Sequence, residues 1–421
     1  MRFFFPDSQD QVDPSFDFVT EQRSIHRVRQ RDDRYAHEMI SPTPYDGLLV
    51  SKPIVDGLPG ASGKYTGAQR NRLYREGAHR FFRLVNGESR LPVMGDCGAF
   101  TYVREHEPLY TVDEVIDFYE GCRFDIGIAV DHVVFGYDAA LDRASAAEVP
   151  ADWRFRQELT VELASSFLAA HRQGRCGFEP VAVAHGWSPK SYADAVRQLQ
   201  KIGYKRIAMG GMVPLRTPDI LESLKAVRRV LRARTELHLL GVTRTAHVQQ
   251  FAAYGVTSFD STSPFRQSFK DDKDNYYSLD RTYVALRVPQ VDGNTKFRAR
   301  ITAGAVDQRT ARRLERRCLQ LLRRFDVDGC GVGSVVDAVS SYSQLLGDIK
   351  DRSQEYAETL EARPWKECTC TVCKEIGIEV IIFRGADRNR RRGFHNLSVF
   401  AQRLSRELNV APAAPIGARR G

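Results

Sequence analysis

Short apolar segments alternate with helical patterns along most of the chain, and this alternation constrains the fold more than any other feature. Each segment is nearly continuous in apolar residues, which is typical of strands covered on both faces of a sheet. Strands that alternate with helices form parallel sheets, and eight of them predict an α/β fold of the (β/α)8 TIM-barrel type. An open, doubly wound sheet is the alternative, but no glycine-rich dinucleotide motif follows the first segment. The eight predicted strands cover residues 2–5, 47–51, 92–96, 125–131, 181–185, 206–210, 237–242 and 256–260.

Composition limits the class of protein. The 421 residues are enough for one large domain or two ordinary ones, and 42% hydrophobic residues can build a sizeable core. No apolar run is long enough to span a membrane, and the first residues turn polar too soon for a signal peptide. We therefore expect a cytoplasmic protein with no membrane partner. The net charge of +9 suits a polyanion such as nucleic acid, although many enzymes are mildly basic.

Three of the eight cysteines are crowded near the C-terminus as Cys368, Cys370 and Cys373, and His395 is the one histidine that follows them. Three thiolates and one imidazole form a closed tetrahedral site, which is typical of structural Zn²⁺. Reduced thiols without a metal are the alternative. The spacing predicts a zinc-binding subdomain near the C-terminus.

This motif sets the predicted domain organisation. Residues 1–365 are expected to form the catalytic barrel, with an N-terminal extension and a polar insertion around 264–300. Residues 366–410 are expected to form the zinc-binding subdomain and the final helix. Residues 411–421 are predicted to be a disordered tail.

Aspartates end three of the predicted strands: Asp96, Asp131 and Asp260. The carboxyl ends of barrel strands meet at one rim, so these carboxylates are expected to converge. Two carboxylates at one site can act as nucleophile and general acid/base in glycosyl transfer, and a third can accept hydrogen bonds from a purine. The alternative is that each aspartate caps a separate turn.

The order of several motifs resembles the tRNA-guanine transglycosylase superfamily over roughly residues 45–400. The Cys-x-Cys-x-x-Cys pattern followed by His-Asn-Leu resembles the zinc site of that superfamily. The other matching segments are Asp96-Cys97-Gly98-Ala99-Phe100 for Asp-Ser-Gly-Gly-Phe, Val183-Ala184-His185-Gly186 for a Val-Gln-Gly strand, Met209-Gly210-Gly211-Met212-Val213-Pro214 for a Gly-Gly strand, and Phe259-Asp260-Ser261-Thr262-Ser263-Pro264-Phe265-Arg266 for Phe-Asp-Cys-Val-Leu-Pro-Thr-Arg.

The resemblance implies a role for each matching residue. Asp260 corresponds to the nucleophile and Asp96 to the general acid/base. The residues that correspond to the base-binding positions are Asp131, His185 (in place of a glutamine), Gly210 and Gly211.

The N-terminal segment 1–46 and the segment 263–277 resemble the DNA-modifying branch, the DNA-guanine transglycosylases. This branch implies DNA as partner, an incoming 7-deazaguanine base and a helper ATPase. A tRNA-guanine transglycosylase is the alternative within the same chemistry. A non-catalytic nucleic-acid-binding subunit is a further alternative, which the presence of both Asp96 and Asp260 disfavours. A small-molecule barrel enzyme with structural zinc is a third.

Two basic segments could contact nucleic-acid phosphates, the first over residues 384–392 and the second over residues 307–325. The residues expected to do so are Arg266, Arg384, Arg388, Arg390, Arg391 and Arg392. The second segment is a very basic predicted helix over residues 307–325. For both segments the alternative is a solvated basic surface.

The segment after Gly210-Gly211 bears on the incoming base. Bacterial tRNA enzymes that accept a cationic aminomethyl base carry a glutamate shortly after this strand, as the resemblance implies, and here that position is Arg216. An ammonium buried without an anion is costly. The sequence therefore predicts a preference for the neutral 7-cyano-7-deazaguanine (preQ0) over the aminomethyl base (preQ1).

Overall fold

A computed structural model describes residues 1–86, 89–143, 145, 147–270, 273–348 and 350–409. The chain forms two compact units. The first contains residues 1–9, 45–262 and the segment from 404 onward, and the second contains residues 10–44 and 263–403. The predicted boundary between residues 365 and 366 lies inside the second unit. The predicted disordered tail, residues 411–421, lies outside the described residues.

The first unit is built on a closed barrel of eight parallel strands. Each strand pairs with the next one along the chain, and the last strand pairs with the first. The predicted (β/α)8 barrel is therefore confirmed, and every predicted strand segment contributes to it. The strands are β1 (Arg2–Pro6), β2 (Gly47–Ser51), β3 (Val93–Asp96), β4 (Ile126–Ile128), β5 (Glu179–Ala184), β6 (Arg206–Met209), β7 (Glu236–Leu239) and β8 (Val256–Asp260).

Apolar side chains from six of these strands fill the barrel interior. Inward positions alternate with outward ones along each strand, so each of these six strands gives one or two residues to this core. The interior is therefore a packed core, and the space left for a ligand lies at its rim. The buried core residues are Phe4, Leu49, Met94, Ile126, Ile128, Val181, Val183 and Ala208.

Three α-helices of the first unit, those that begin at residues 67, 112 and 189, have an N-cap side chain that accepts a backbone hydrogen bond. Thr111 accepts a hydrogen bond from the backbone N–H of Glu114, and Ser188 accepts one from that of Ser191. The α-helices of this unit are Lys52–Val55, Gly67–Glu76, Ala78–Phe81, Val112–Cys122, Ala151–Gly174, Pro189–Ile202, Thr217–Arg228 and Val248–Ala253. The 3-10 helices are Ala99–Tyr102, Ala139–Asp142 and Thr245–His247, and Val85–Asn86 pairs with Ser89–Arg90 as a short antiparallel ladder.

The second unit is mainly helical. Two small ladders accompany the helices: Tyr276–Tyr277 with Thr282–Tyr283, and Leu286–Arg287 with Ile382–Phe383. The helices are Ala36–Met39, Ser263–Gln267, Thr295–Thr302, Gln308–Asp326, Val332–Leu346, Ser353–Ala362, Pro364–Glu367, Thr371–Ile376, the 3-10 helix Gly377–Ile381, and Gly385–Asn409, which continues past residue 403. Among the residues that the structure describes, no helix combines the length and the apolar character needed to cross a bilayer.

Candidate active site and metal centre

A cavity of about 180 Å³ opens at the carboxyl ends of the barrel strands. Drug-sized ligands occupy sites of about 300–1,000 Å³, so this cavity suits a single heterocyclic base. Six of the residues predicted from the sequence line it together: Asp96, Asp131, His185, Gly210, Gly211 and Asp260. The expectation that the strand-end aspartates meet at one rim is confirmed.

Asp260 is the last residue of β8 and is buried. Its Oδ1 accepts a hydrogen bond from the backbone N–H of Gly241 at 3.0 Å, and His238 Nε2 lies 3.2 Å from the same oxygen. Gly241 has a φ of +72°, which favours glycine, and this conformation presents its N–H to the carboxylate. These two donors hold one oxygen of Asp260 in place.

Asp96 ends β3 and accepts hydrogen bonds from the backbone N–H of Gly98 and the hydroxyl of Ser51. Burial raises the pKa of Asp96 to about 6, with the nearby charges of Asp131 and Asp260 acting in the same direction. A carboxyl group with such a pKa can both donate and accept a proton near neutral pH.

Asp131 follows β4 and is almost fully buried. Its Oδ2 accepts a hydrogen bond from His185 Nε2 at 2.7 Å, and its Oδ1 accepts one from the Cys97 thiol at 3.1 Å. Burial raises the pKa of Cys97, so the thiol stays protonated and can donate. Among the described atoms, Nδ1 of His185 has no hydrogen-bond partner. The arrangement combines a fixed carboxylate with one unsatisfied imidazole nitrogen beside the cavity.

Gly210 allows the His185 ring to lie against the backbone. A β-carbon at position 210 would lie 2.3 Å from His185 Cε1, which no side chain could tolerate without a shift. The Tyr192 hydroxyl donates to the Gly210 carbonyl at 2.9 Å and supports this segment from behind. Any residue larger than glycine here would displace the imidazole.

Aromatic and aliphatic side chains form the mouth of the cavity. Phe100 and Phe135 contact each other edge to face at 5.4 Å between ring centroids. Phe100 is 64% exposed and Val213 is 52% exposed, which is unusual for such large apolar side chains. Exposed apolar groups around a polar cavity are typical of a surface that stacks on a planar ligand.

The predicted cluster of Cys368, Cys370, Cys373 and His395 forms in the second unit, with its four ligand atoms within 4.8 Å of one another. The three sulfur atoms lie 3.5, 3.4 and 3.3 Å from His395 Nδ1. Metal–ligand distances of about 2.3 Å for sulfur and 2.0 Å for nitrogen separate two such atoms by about 3.5 Å in a tetrahedron. The cluster therefore fits a tetrahedral metal ion.

The residues around this cluster orient its imidazole. His395 Nε2 donates to the carbonyl oxygen of Tyr277 at 2.7 Å, which leaves Nδ1 to face the thiols. The Tyr276 ring stacks on the His395 ring at 4.0 Å between centroids, and its hydroxyl lies 3.3 Å from the Cys373 sulfur. Asn396 accepts a hydrogen bond from the Tyr277 backbone N–H. These contacts hold the His395 ring and the Cys373 thiol in fixed orientations, as a closed metal site requires.

Comparison with known proteins places the chain in a family. No family model matches the sequence. A protein from Salmonella montevideo named DNA-guanine transglycosylase is 49% identical over 414 residues, which cover 97% of this chain and 98% of that protein. The chain belongs to the DNA-guanine transglycosylase family. The predicted branch of the superfamily is thus confirmed, and the protein is an enzyme of the pentosyltransferase type.

The arginine run of this transglycosylase, which covers residues 384–392, is mostly buried. The sequence had predicted that it contacts nucleic-acid phosphates. Arg384 and Arg388 are buried, and both donate to Glu21. Arg384 also pairs with Glu315 at 2.6 Å, and Arg388 pairs with Glu379 at 2.7 Å. Their guanidinium groups are engaged with carboxylates inside the unit, so the expected phosphate role is corrected to a structural one for these two residues.

Arg391 and Arg392 are buried as well. Arg391 donates to the carbonyl oxygen of Asp13 at 2.5 Å, and Arg392 donates to the carbonyl oxygens of Val380 and Ser268. Because these donors are already paired with backbone, the same correction applies to them. Arg390 is half-buried and Arg266 is exposed, so for these two residues a phosphate contact stays a prediction.

Sequence reasoning missed three residues of the transglycosylase site. His238 is the one polar side chain in the predicted strand 237–242, and that interruption was a usable signal. Cys97 and Phe100 lie inside a recognised motif, but without a structure nothing connected the thiol to Asp131 or the ring to the mouth of the cavity.

Proposed function

We propose that the protein replaces guanine in DNA with a 7-deazaguanine base. The observation that carries this proposal is the presence of Asp96 and Asp260 on one base-sized cavity at the barrel rim. The name of the Salmonella montevideo relative supports DNA as the substrate. The site geometry alone would equally suit a tRNA substrate.

In the first step, the carboxylate of Asp260 attacks C1′ of the target nucleotide. The bond between C1′ and N9 breaks, and a glycosyl ester with Asp260 forms. The guanine leaves with a proton from Asp96, whose pKa near 6 lets it hold that proton at a useful fraction near neutral pH. The donors on Oδ1 of Asp260 keep the second carboxylate oxygen oriented for attack.

In the second step, the 7-deazaguanine base enters the cavity. Asp96, now ionised, takes the proton from N9, and N9 attacks C1′ while the ester bond to Asp260 breaks. The carboxylate of Asp260 is regenerated and Asp96 is protonated again, so no further reactant is needed. In each cycle Asp96 gives up and regains one proton, and Asp260 accepts and releases one glycosyl group.

Base recognition is assigned to the groups that line the cavity. Asp131 would accept hydrogen bonds from the N–H groups of the base, and the free Nδ1 of His185 would bind a further polar edge atom. The Gly210-Gly211 backbone would contact the base carbonyl. Phe100 would stack on the base, which must first leave the double helix to reach the cavity.

The cavity composition supports a neutral 7-substituent. Its acidic residues are the three aspartates that already have roles in chemistry or base recognition. Arg216 is exposed and pairs with Asp219 at 2.9 Å, so it does not line the cavity. An incoming ammonium group would therefore have no dedicated anion, and preQ0 is the proposed base.

The metal of the Cys368, Cys370, Cys373 and His395 cluster is proposed to be Zn²⁺. Soft thiolates with one imidazole favour zinc, and four protein ligands leave no position for water. The ion would then stabilise the fold of the second unit. Arg266 and Arg390 are proposed as phosphate contacts of this unit.

The deciding experiment is incubation of the purified protein with labelled preQ0 and either duplex DNA or tRNA, followed by nucleoside analysis. We expect label in a deoxyribonucleoside and release of guanine. Label in tRNA alone would overturn the DNA assignment. Incorporation that depends on added cell extract would indicate the helper ATPase that the family resemblance suggests.

A further inference from the structure

The helix Gln308–Asp326, here called the arginine helix, presents a continuous basic face. Its other side packs into the second unit through Ala311, Cys318, Leu322 and Phe325, which are buried. The exposed face forms an open groove, lined by arginines at spacings of three and four residues that keep them on one side of the helix. These arginines are Arg309, Arg312, Arg313, Arg316, Arg317 and Arg324.

Most of these arginines form no ion pair with a carboxylate among the residues that the structure describes. Arg312 pairs with Asp292 at 2.8 Å. Within the described parts of the chain, no carboxylate pairs with Arg313, Arg316 or Arg317. Glu315, an acid of the same helix, instead binds the buried Arg384. The carboxylate of Glu315 is thus engaged away from this face.

Such a face has an unfavourable effect on the helix itself. Arg309 and Arg313, Arg312 and Arg316, and Arg313 and Arg317 are like charges four residues apart, an arrangement that destabilises a helix. A face that only needs to be soluble mixes charges of both signs. The basic face therefore has no explanation in folding, whereas a polyanionic partner would neutralise its charges.

The dimensions of the face match a nucleic-acid strand. From Arg309 to Arg324 the helix rises about 22 Å, at about 1.5 Å per residue. Phosphates follow each other at about 3.4 Å along the axis of duplex DNA, so the face spans roughly six of them on one strand. We propose that this face binds the phosphate backbone of duplex DNA without reading its sequence; the choice of DNA as the polyanion rests on the proposed function.

The test is DNA binding by a variant that carries Arg313→Gln, Arg316→Gln and Arg317→Gln. Anisotropy of a labelled 30-base-pair duplex gives the dissociation constant over a range of KCl concentrations. Each phosphate contact contributes about 0.9 to the slope of log K against log salt, so we expect the slope to fall by about 2 to 3. We also expect at least a tenfold weaker affinity, on the order of the loss of a few phosphate contacts near 0.1 M salt.

Two matched variants control for charge and structure. Arg228→Gln, Arg229→Gln and Arg234→Gln remove the same charge from exposed positions in the first unit and should leave the slope near that of the parent. The variant with Arg313→Lys, Arg316→Lys and Arg317→Lys keeps the charge and should preserve most of the slope. Equal losses in the two glutamine variants would reduce the effect to net charge and overturn the proposal.

Other outcomes separate this proposal from the proposed function. Parent-like DNA binding by the 313/316/317 glutamine variant, with an unchanged melting temperature, overturns the surface and points to an acidic protein as its partner. If the parent binds DNA through this face but exchanges no base, the proposed function fails and the surface stands. If the parent exchanges bases and the variant binds normally, only the surface fails.

Discussion

His238 Nε2 lies 3.2 Å from Oδ1 of Asp260, and both side chains are buried. The carboxylate must accept this hydrogen bond, so Nε2 carries the proton and Nδ1 accepts one from the Ser258 hydroxyl at 2.9 Å. The chain from Ser258 through His238 to Asp260 therefore fixes the tautomer of the imidazole. It also fixes the plane of the carboxylate that is proposed to attack C1′.

His238→Leu should slow formation of the glycosyl ester without changing the KM for the base. A hydrogen bond to a charged group is worth about 1.5–3 kcal/mol, so the single-turnover rate should fall about 10- to 100-fold. The measurement is quench-flow trapping of the protein–DNA adduct on a denaturing gel.

Two further variants make this test specific. His238→Gln places a donor near the position of Nε2 and should recover part of the rate. His247→Gln, at a half-buried position outside the cavity lining, should behave as the parent. A leucine variant that forms adduct at the parent rate would show that His238 has no part in positioning Asp260.

Asp260→Ala should abolish both the adduct and base exchange, because no other group replaces the carboxylate that forms the ester. The fold should persist, since β8 keeps its ladder hydrogen bonds to β1 and β7. Denaturing gels and circular dichroism measure the two properties together. Base exchange at the parent rate would remove Asp260 from the nucleophile role.

Asp96 should make the chain less stable as pH rises from about 4 to about 6. Its folded-state pKa is raised from 3.8 to about 6, so the stability that its protonated form contributes is present at low pH and lost as pH passes through that range. Asp96→Asn cannot ionise, so near pH 7.5 it should exceed the parent in unfolding free energy by on the order of 2–3 kcal/mol. Urea unfolding at pH 4 and 7.5 checks this.

The same carboxyl group should shape the rate profile. Guanine release needs protonated Asp96, so the single-turnover release rate should fall above about pH 6, and Asp96→Asn should be slow and nearly independent of pH. Asp117→Asn, on the exposed side of helix Val112–Cys122, is the matched control. A parent profile that stays flat through pH 6 would contradict the acid/base role.

One zinc ion per chain is expected, and Cys370→Ala should lose it. Structural zinc contributes free energy to folding, so this variant should accumulate in the insoluble fraction and melt at a lower temperature. Cys330→Ala removes a cysteine outside the cluster and should keep the metal. Metal analysis of protein purified without chelator decides the point, and an absence of zinc there would contradict the assignment.

The barrel was predictable because buried parallel strands leave a nearly continuous apolar trace. The ends of the strands were less predictable: β4 covers Ile126–Ile128, whereas the predicted strand covers residues 125–131. Residues 129–131 leave the sheet toward the cavity and remain buried, so composition does not distinguish them from the strand. The three aspartates of the site were predicted because each ends a predicted strand. His185, Gly210 and Gly211 were predicted because their segments resemble those of the superfamily.

The arginine run was misread because a sequence shows charges without their partners. Arg388 binds Glu21, which lies 367 residues earlier in the chain, and no local pattern reveals that pairing. The arginine helix presents the opposite case, since its 3.6-residue spacing already separates an apolar side from a basic one. Helical spacing within a segment was therefore readable from the sequence, whereas ion pairs between distant segments were not.

The last prediction concerns the incoming base: preQ0 should be incorporated in preference to preQ1. The aminomethyl group of preQ1 is a cation, and a buried ammonium without an anion costs several kcal/mol, whereas a nitrile has no such cost. Beside the three aspartates, the cavity lining is apolar or glycine, apart from His185. A mixture of the two bases in one exchange assay measures the ratio directly. Val213→Asp would place a carboxylate on the cavity wall and should shift that ratio toward preQ1, while Val327→Asp, an exposed valine of the second unit, should leave it unchanged. Preferential use of preQ1 by the parent would mean that an acid outside this lining reaches the base.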